Sequence, residues 1–505
     1  MAGYPASPLA DAKDYADVGV ERIQLLNQKT KIKRLHMKSV SKPLLYSCLL
    51  SSASLALAQG TNELKLPPAA TIAWADNPIY LADEAIRSKD FLGSIRYIPL
   101  SGDARDYLSI GGEIRYQYQD YQHALLGVGG RSNPNSMLQQ RLRLSADLNL
   151  SNGLRVFTEL GDNREFFSER VSRFNRDKTD IQQMFVEYTA GDDAYGIASL
   201  RGGRFVMPMG SVRLAGLREG ANVRYTYDGI KLSWLTPAKT RWELFSVSPT
   251  QIDPLKFDDQ RDKAQDFSGI YGTGVWHPLD SNVDVFAYTY GRDNAVYTSI
   301  SGNERRNSYG VRLYRQSSSW DYDIEAVAQG GTSGGQSIRA WGLMTQGGYT
   351  FSDVALTPRL GFRANAFSGD DDPNDNTLGD FVAPALASGL VYTDANWFTA
   401  TNMINIAPVA SVKFSQDLKL EMNVDYLMRQ STDDGIYYLP TSAPYAANQG
   451  NARHVATNTN IMLDWRINRF TTVHAMYTHV QAGEALEDIG GKDSDYFGVY
   501  TQFVF

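Results

Sequence analysis

Arginine residues that alternate with apolar residues are the side chains of this sequence best suited to bind charged ligands. Arg141 and Arg143 flank Leu142, and Arg155 stands between Leu154 and Val156. A guanidinium group is planar and always charged, and its donors match the two oxygens of a carboxylate. Six arginines share the pattern: Arg115, Arg141, Arg143, Arg155, Arg359 and Arg363. In a narrow pore of low dielectric constant they would concentrate polyanions and lower the barrier to their entry.

The same arginines have a plainer interpretation, in which they pair with acidic residues and fill a polar interior. The chain holds 49 Lys and Arg against 56 Asp and Glu, a formal net charge of −7. An anion path therefore needs a local excess of positive charge, which composition does not reveal. Both interpretations stay open, and the acids available for pairing include Glu113, Asp147, Glu159, Glu187, Glu421 and Asp425.

The motifs of common catalytic sites are missing from the sequence. It contains no His-Glu-x-x-His pair and no phosphate-binding loop. A Gly-x-Ser-x-Gly string at 331–335 lies in a glycine-rich loop, whereas a hydrolase needs it at a strand-to-helix elbow. We therefore predict no enzyme activity, no catalytic residue, no cofactor and no metal site. The negative net charge also argues against nucleic acid as a partner.

Long segments of strict alternation are the elements that would position these arginines. From Arg141 to Leu150 polar and apolar residues alternate, and the same pattern recurs from Leu418 to Asp425. A period of two places all apolar side chains on one face of a strand. Long strands with one apolar face and charges on the other predict a lipid-facing wall around a wet lumen. A soluble β-sandwich has the same alternation, usually in shorter strands.

The connections between these segments alternate in length. Eight are short turns, which begin near residues 151, 191, 236, 278, 317, 352, 415 and 467. Nine are mostly longer and polar, near 123–136, 166–178, 207–220, 252–265, 292–306, 331–336, 368–401, 431–452 and 482–494. Short turns at one end and long loops at the other are typical of outer-membrane barrels. We therefore predict an all-β fold, a single transmembrane antiparallel up-and-down β-barrel of about 18 strands.

Four segments are predicted along the chain. Residues 1–36 are an extension of unknown role or an upstream start, and residues 37–58 have the cationic, apolar and Ala-x-Ala parts of a secretory signal peptide. Residues 59–102 would form an N-terminal periplasmic arm, and residues 103–505 the outer-membrane barrel. Cleavage would remove Cys48, the one cysteine, so we expect a mature chain without thiols or disulfides.

The C-terminal segment is rich in aromatic residues and ends in phenylalanine. It reads YFGVYTQFVF over residues 496–505, with Phe497, Val499, Phe503 and Phe505 on one face. This segment resembles the terminal strand of bacterial outer-membrane proteins, which their assembly machinery recognises. The resemblance implies the assembly machinery and outer-membrane lipid as partners, in a Gram-negative bacterium.

Several stretches resemble the alginate export family of outer-membrane barrels. They are FLGSIRYIPL at 91–100, YLSIGGEIR at 107–115, GR at 203–204 with NVR at 222–224 and YDG at 227–229, RQSTDDGIY at 429–437 and RHVAT at 453–457. The sequence departs from the family where Phe205 replaces a Gln and where Ala456-Thr457-Asn458 replaces Gly-Thr-Glu. The resemblance implies an 18-stranded barrel that passes an anionic polysaccharide, and it adds Arg204, Arg224, Arg429 and Arg453 to the candidate path.

Together these observations predict a passive outer-membrane channel that conducts an alginate-like anionic polysaccharide through an arginine-lined pore. The alternative is an uptake porin that selects small organic anions. A barrel that serves as adhesin or scaffold would differ from both, because it would carry no current.

Overall fold

Eighteen long strands form one sheet, which closes into a barrel because the first strand pairs with the last. The computed structural model describes residues 66–102, 104–130, 133–168, 172, 174–317, 319–383, 392–438, 445 and 450–505. The predicted single antiparallel barrel of 18 strands is confirmed. The predicted extension at 1–36 and signal peptide at 37–58 lie outside the described residues.

Each barrel strand runs antiparallel to its two neighbours. Strands of 9 to 16 residues are long enough to cross a bilayer when they tilt. The strands are β1 (Tyr107–Tyr121), β2 (Asn135–Asn149), β3 (Leu154–Phe166), β4 (Asp177–Asp192), β5 (Gly196–Phe205), β6 (Tyr227–Leu235), β7 (Arg241–Gln251), β8 (Gln265–Trp276), β9 (Asn282–Val296), β10 (Ser301–Arg315), β11 (Trp320–Ser333), β12 (Gln336–Thr350), β13 (Arg359–Phe367), β14 (Met403–Lys413), β15 (Leu418–Arg429), β16 (His454–Arg466), β17 (Thr471–Ala482) and β18 (Ser494–Val504).

The remaining elements are short. Two-residue strands lie at Ile98–Pro99, Gln260–Arg261 and Thr377–Leu378, and α-helices at Glu84–Arg87, Gly93–Arg96 and Glu484–Glu487. The 3-10 helices are Ala73–Ala75, Pro78–Ala82 and Val128–Gly130. No helix in the described part of the chain is both long and apolar enough to span a membrane.

Short turns connect the strands at one end of the barrel, the turn end, and mostly longer loops connect them at the other, the loop end. The loops at 206–226 and 368–402 are two of the three longest connections at the loop end. Two loops, at 297–300 and 334–335, are shorter than the sequence predicts. The reason is that β9 and β10 stay paired as far as Val296 and Ser301, and β11 and β12 stay paired as far as Ser333 and Gln336.

The two faces of the wall differ in polarity as the alternation predicts. Leu144 and Phe362 point outward and are 55% and 50% exposed, whereas their neighbours Arg143 and Arg363 point inward. A bilayer would cover the outward apolar side chains, so their exposure without lipid is expected.

Residues 66–102 lie across the turn end. Tyr97 stacks on Tyr107 at the start of β1, and Asp90 contacts Arg469 in the turn between β16 and β17. Trp74 is 5% exposed and enters the lumen, where its carbonyl oxygen accepts a 2.6 Å hydrogen bond from Arg155. This segment therefore fills part of the lumen at the turn end.

The loop 206–226, here called the lumenal loop, folds into the barrel. Its buried residues Val206, Met207, Met209 and Leu214 belong to one apolar cluster with inward aromatic residues of the wall, among them Phe185, Phe205, Phe245, Phe267 and Tyr271. Burial of each such side chain contributes about 1.5–3 kcal/mol. The lumen therefore has an apolar core under this loop as well as polar surfaces.

Candidate substrate path

Four arginines meet three glutamates near the middle of β1, β2 and β3. In the sheet register Arg115 lies opposite Arg141, and Glu113 lies opposite Arg143. Glu113 accepts hydrogen bonds from Arg141 at 3.1 Å and from Arg143 at 3.4 Å, and it lies 3.2 Å from Arg224. We call this group the central arginine cluster, and it consists of Arg115, Arg141, Arg143, Arg224, Glu113, Glu159 and Glu219.

Glu219 reaches the central arginine cluster from the lumenal loop. Its carboxylate accepts a 2.6 Å hydrogen bond from Arg224, lies 3.2 Å from Arg115 and also accepts from Arg141. The loop backbone adds to these contacts, because Arg141 donates to the carbonyl of Asn222 at 2.8 Å. Burial by itself would raise the pKa of Glu219, but Arg141 and Arg224 hold that pKa well below its usual range. The cluster thus already surrounds an ionised carboxylate.

A second group, the turn-end cluster, lies beside the arm. Arg155 donates to Asp147 at 2.9 Å, and Arg201 donates to Glu187 at 2.7 Å. The guanidinium of Arg201 lies 4.1 Å from the centre of the Trp74 ring and 4.0 Å from the centre of the Phe185 ring. The cluster consists of Arg155, Arg201, Lys231, Arg241, Asp147, Glu187 and Glu243.

Sequence reasoning missed Arg201, although a signal for it was present. Leu200 points outward and is 55% exposed, so the alternation along β5 places Arg201 inward. The glycines at 202 and 203 interrupt the apolar half of the pattern, which made this strand hard to interpret from sequence.

Arg359 and Arg363 lie on the opposite side of the lumen, on β13. Arg363 donates to Asp425 at 2.5 Å, and Asp425 also accepts from Asn405 at 2.7 Å and from Asn460 at 3.0 Å. Arg359 pairs with an aspartate of β11 at 2.5 Å. This side, here called the amide side, is lined by the buried residues Asn365, Asn405, Asn423, Asn458 and Asn460.

Arg204 does not line the lumen, which corrects the prediction that it does. It lies opposite Met184 and Asp228 in the sheet register, and Met184 is 53% exposed on the outer face. Opposed residues of neighbouring strands share a face. Arg204 therefore points outward, where it donates to Asp228 at 2.9 Å.

Arg429 and Arg453 connect loops at the loop end. Arg429 is buried and donates to the backbone carbonyls of Thr432 at 3.0 Å and Ala452 at 2.9 Å. Arg453 donates to the carbonyl of Gln430. Their donors are directed at backbone oxygens, so these two residues hold the connection between β15 and β16 in place.

The lumen combines ion pairing with a local positive excess. Glu113, Asp147, Glu159, Glu187 and Asp425 all pair with inward arginines, whereas Glu421 accepts from Lys419. Among the residues that the structure describes, each of the two clusters has four cationic side chains and three carboxylates. Each cluster therefore carries one net positive charge, on a chain whose net charge is −7.

Three carboxylates at the loop end could hold a cation. Oxygens of Asp177, Asp180 and Asp259 lie within 4.8 Å of one another, and this is the one such group within the described ranges. Burial, with repulsion from Asp180, raises the pKa of Asp259 to about 7. A set of oxygen ligands suits a hard cation such as Ca²⁺. The group joins the start of β4 to the loop at 252–264, so no local motif marks it in the sequence.

Comparison with known proteins gives a family and a set of structural relatives. The alginate export family model matches residues 106–500, and no curated protein matches the chain. OccD3 (OpdP) of Pseudomonas aeruginosa is 10% identical, with a TM-score of 0.55 over 82% of this chain and 93% of that one. Acinetobacter baumannii OccAB2 is 11% identical, with a TM-score of 0.54 over 79% and 98%.

A third relative was solved with a ligand. It is OccK2 (OpdF) of Pseudomonas aeruginosa in complex with glucuronate, which is 10% identical, with a TM-score of 0.51 over 79% of this chain and 98% of that one. At these identities the structural likeness shows a shared fold. The family match and the porin-like fold indicate an outer-membrane channel rather than an enzyme.

Proposed function

Because the chain belongs to the alginate export family, we propose that this outer-membrane channel passively conducts an alginate-like anionic polysaccharide along its arginine-bearing wall. In an outer-membrane barrel the short turns face the periplasm and the long loops face the exterior. A polymer leaving the cell would therefore pass the turn-end cluster first and the central arginine cluster second.

The observation that carries the proposal is the central arginine cluster itself. Three of its arginines are fixed on paired strands, and Arg224 is added from the lumenal loop. A polyuronate has one carboxylate on each sugar, so neighbouring arginines can bind successive carboxylates of one chain. The interspersed glutamates keep each arginine partly neutralised, which lets the polymer leave as well as enter.

The experiment is planar-bilayer recording of the double variant Arg115→Gln with Arg141→Gln. We expect anion selectivity to fall and block by polymannuronate to weaken by about tenfold or more, because each lost charge-assisted contact contributes about 1.5–3 kcal/mol. Arg305→Gln is the matched control, because Arg305 pairs with Asp266 on the outer face and is 55% exposed there. Wild-type protein without anion-selective current, or a double variant identical to wild type, would overturn the proposal.

An uptake porin for small organic anions is the second candidate, and the glucuronate complex of OccK2 supports it by analogy of fold. The two functions differ in the size of the ligand that occupies the path. Block by polymannuronate but not by monomeric uronates or small carboxylates supports the polysaccharide channel. Equal block by monomers at equal carboxylate concentration supports the porin.

A further inference from the structure

We propose that Glu219 is a built-in competitor for the arginine donors, which occupies the carboxylate position of the central arginine cluster until a polyanion displaces it. The inference rests on the proposed function, because it requires that these arginines bind carboxylates of a substrate. It adds that the site is occupied from within before any substrate arrives.

The contacts of Glu219 are those that a uronate carboxylate would make. Its two oxygens are shared among Arg115, Arg141 and Arg224, with distances of 3.2 Å to Arg115 and 2.6 Å to Arg224. These three arginines are 0–2% exposed. Since solvent does not reach their guanidinium groups, a polymer gains access to them only after Glu219 moves.

The lumenal loop is held at both ends of the segment that carries Glu219. On one side Arg213 crosses the lumen to Asp323 and Glu325 of β11, at 3.0 and 3.3 Å. On the other side the side-chain amide of Asn222 donates to the backbone carbonyls of Gln140, Arg164 and Asn175 at 2.9–3.2 Å. The displacement therefore involves the segment between these two attachments rather than the whole loop.

Displacement of Glu219 by substrate is close to an even exchange. The arginines give up one carboxylate and gain another, so the charge-assisted hydrogen bonds are replaced in kind. A ligand shifts such an equilibrium by its differential affinity for the open state. A polymer offers many carboxylates on one chain, and their high effective concentration gives it the advantage over a monomer. A neutral polysaccharide offers no replacement charge, so it leaves Glu219 in place.

The first test replaces the carboxylate without changing its size. In Glu219→Gln the cluster keeps four arginines against two glutamates, so we expect the concentration of polymannuronate that half-blocks the anion current to fall about tenfold. Glu219→Asp keeps the charge and should stay near wild type. Glu304→Gln is the matched control, because Glu304 is also buried between two arginines, Arg292 and Arg306, outside both clusters.

The outcomes separate this inference from the proposed function. Suppose that wild type conducts anions and is blocked by polymannuronate. If the half-blocking concentration for Glu219→Gln then equals that of wild type, or falls no further than that of Glu304→Gln, Glu219 is not a competitor. If wild type and Glu219→Gln both lack anion-selective current, the proposed function fails as well. If Glu219→Asp behaves like Glu219→Gln, side-chain length rather than charge controls the block, and the inference is overturned.

A second measurement follows the movement of the loop directly. Cys48 is the only cysteine of the sequence, within the predicted signal peptide, so Ala221→Cys introduces a single reporter thiol. Polymannuronate should speed labelling of this thiol by a charged thiol reagent, while neutral dextran should not. An unchanged labelling rate at a polymer concentration that blocks the current would overturn the inference.

Discussion

The two sides of the lumen bury polar groups in different ways. On the side of β1 to β7, guanidinium and ammonium groups outnumber carboxylates in both clusters. On the amide side, neutral asparagines surround the buried ion pair of Arg363 with Asp425. An amide carries no net charge, so a polyanion in the lumen is attracted mainly toward the first side. The difference teaches that the net charge of a chain does not describe the field inside its pore.

The largest effect is expected from Arg141→Ala. Arg141 is 0% exposed and contacts Glu113, Glu219 and the loop carbonyl of Asn222, so its loss removes a charged partner from two carboxylates of the cluster. We expect a loss of about 3–5 kcal/mol in the free energy of unfolding. Urea unfolding in detergent micelles measures it, with Arg305→Ala as control. A loss below about 1 kcal/mol, the range of an exposed ion pair, would contradict the burial argument.

A smaller effect is expected from Arg363→Ala on the amide side. Asp425 keeps the hydrogen bonds from Asn405 and Asn460 after the change, so the cost should be about 1–3 kcal/mol. Anion selectivity in planar bilayers should also fall less than in Arg141→Ala. If Arg363→Ala, alone or with Arg359→Ala, abolishes selectivity, then the amide side carries the anion path and the comparison is wrong.

Trp74→Ala tests the turn end of the basic side. The change removes the ring beside Arg201, a contact that contributes about 2 kcal/mol when desolvated, and it removes the side chain that enters the lumen there. We expect a larger single-channel conductance with unchanged preference for anions. Trp320→Ala is the control, because Trp320 is 60% exposed on the outer face at the turn end. Equal conductance in both variants would mean that Trp74 does not restrict the path.

A pH effect is expected in the long loop on the amide side. Burial, together with Asp434, raises the pKa of Asp380 well above its usual range. A carboxyl whose folded pKa lies above its unfolded value stabilises the folded loop below the unfolded pKa of about 4, and this contribution is lost as pH rises through the folded pKa. Hydrogen exchange of loop 368–402, corrected for intrinsic rates, should be faster at pH 8 than at pH 5. Asp380→Asn should remove the difference, and a difference that persists in this variant would exclude Asp380 as its source.

The smallest effect is expected from Arg204→Gln. Arg204 pairs with Asp228 on the outer face, so its loss should leave anion selectivity unchanged and cost about 1 kcal/mol in stability. Reversal-potential measurements in a salt gradient provide the check. A shift as large as that of Arg141→Ala would mean that Arg204 faces the lumen, and would reverse its assignment.

Alternation and turn chemistry sufficed to predict the wall, because both are local. The inward positions of Arg115, Arg141, Arg143 and Arg363 follow from a period of two, which each strand carries in its own sequence. Arg204 was placed on the path by family resemblance alone, and the glycines at 202 and 203 leave no apolar side chain next to it that would have marked its outward direction.

The filling of the lumen was not predictable in the same way. Phe185, Phe245 and Phe267 point inward against the expected polar lining, and they are buried in the same apolar cluster as residues of the lumenal loop. Glu219 likewise lies in a segment without periodicity, and its partners Arg115 and Arg141 are 104 and 78 residues away from it in the sequence. Contacts between a loop and a distant wall depend on where the closed barrel places both.

The sequence by itself determined an antiparallel outer-membrane barrel of 18 strands with arginines on its inner face. It could do so because lipid outside the barrel requires apolar residues and water inside it favours polar residues, so the two types alternate along each strand. Only the tertiary structure decided which acids pair with those arginines, where one positive charge remains in excess, and that Glu219 occupies the cluster. Pairing energies depend on distance and burial across the lumen, and a linear pattern contains neither.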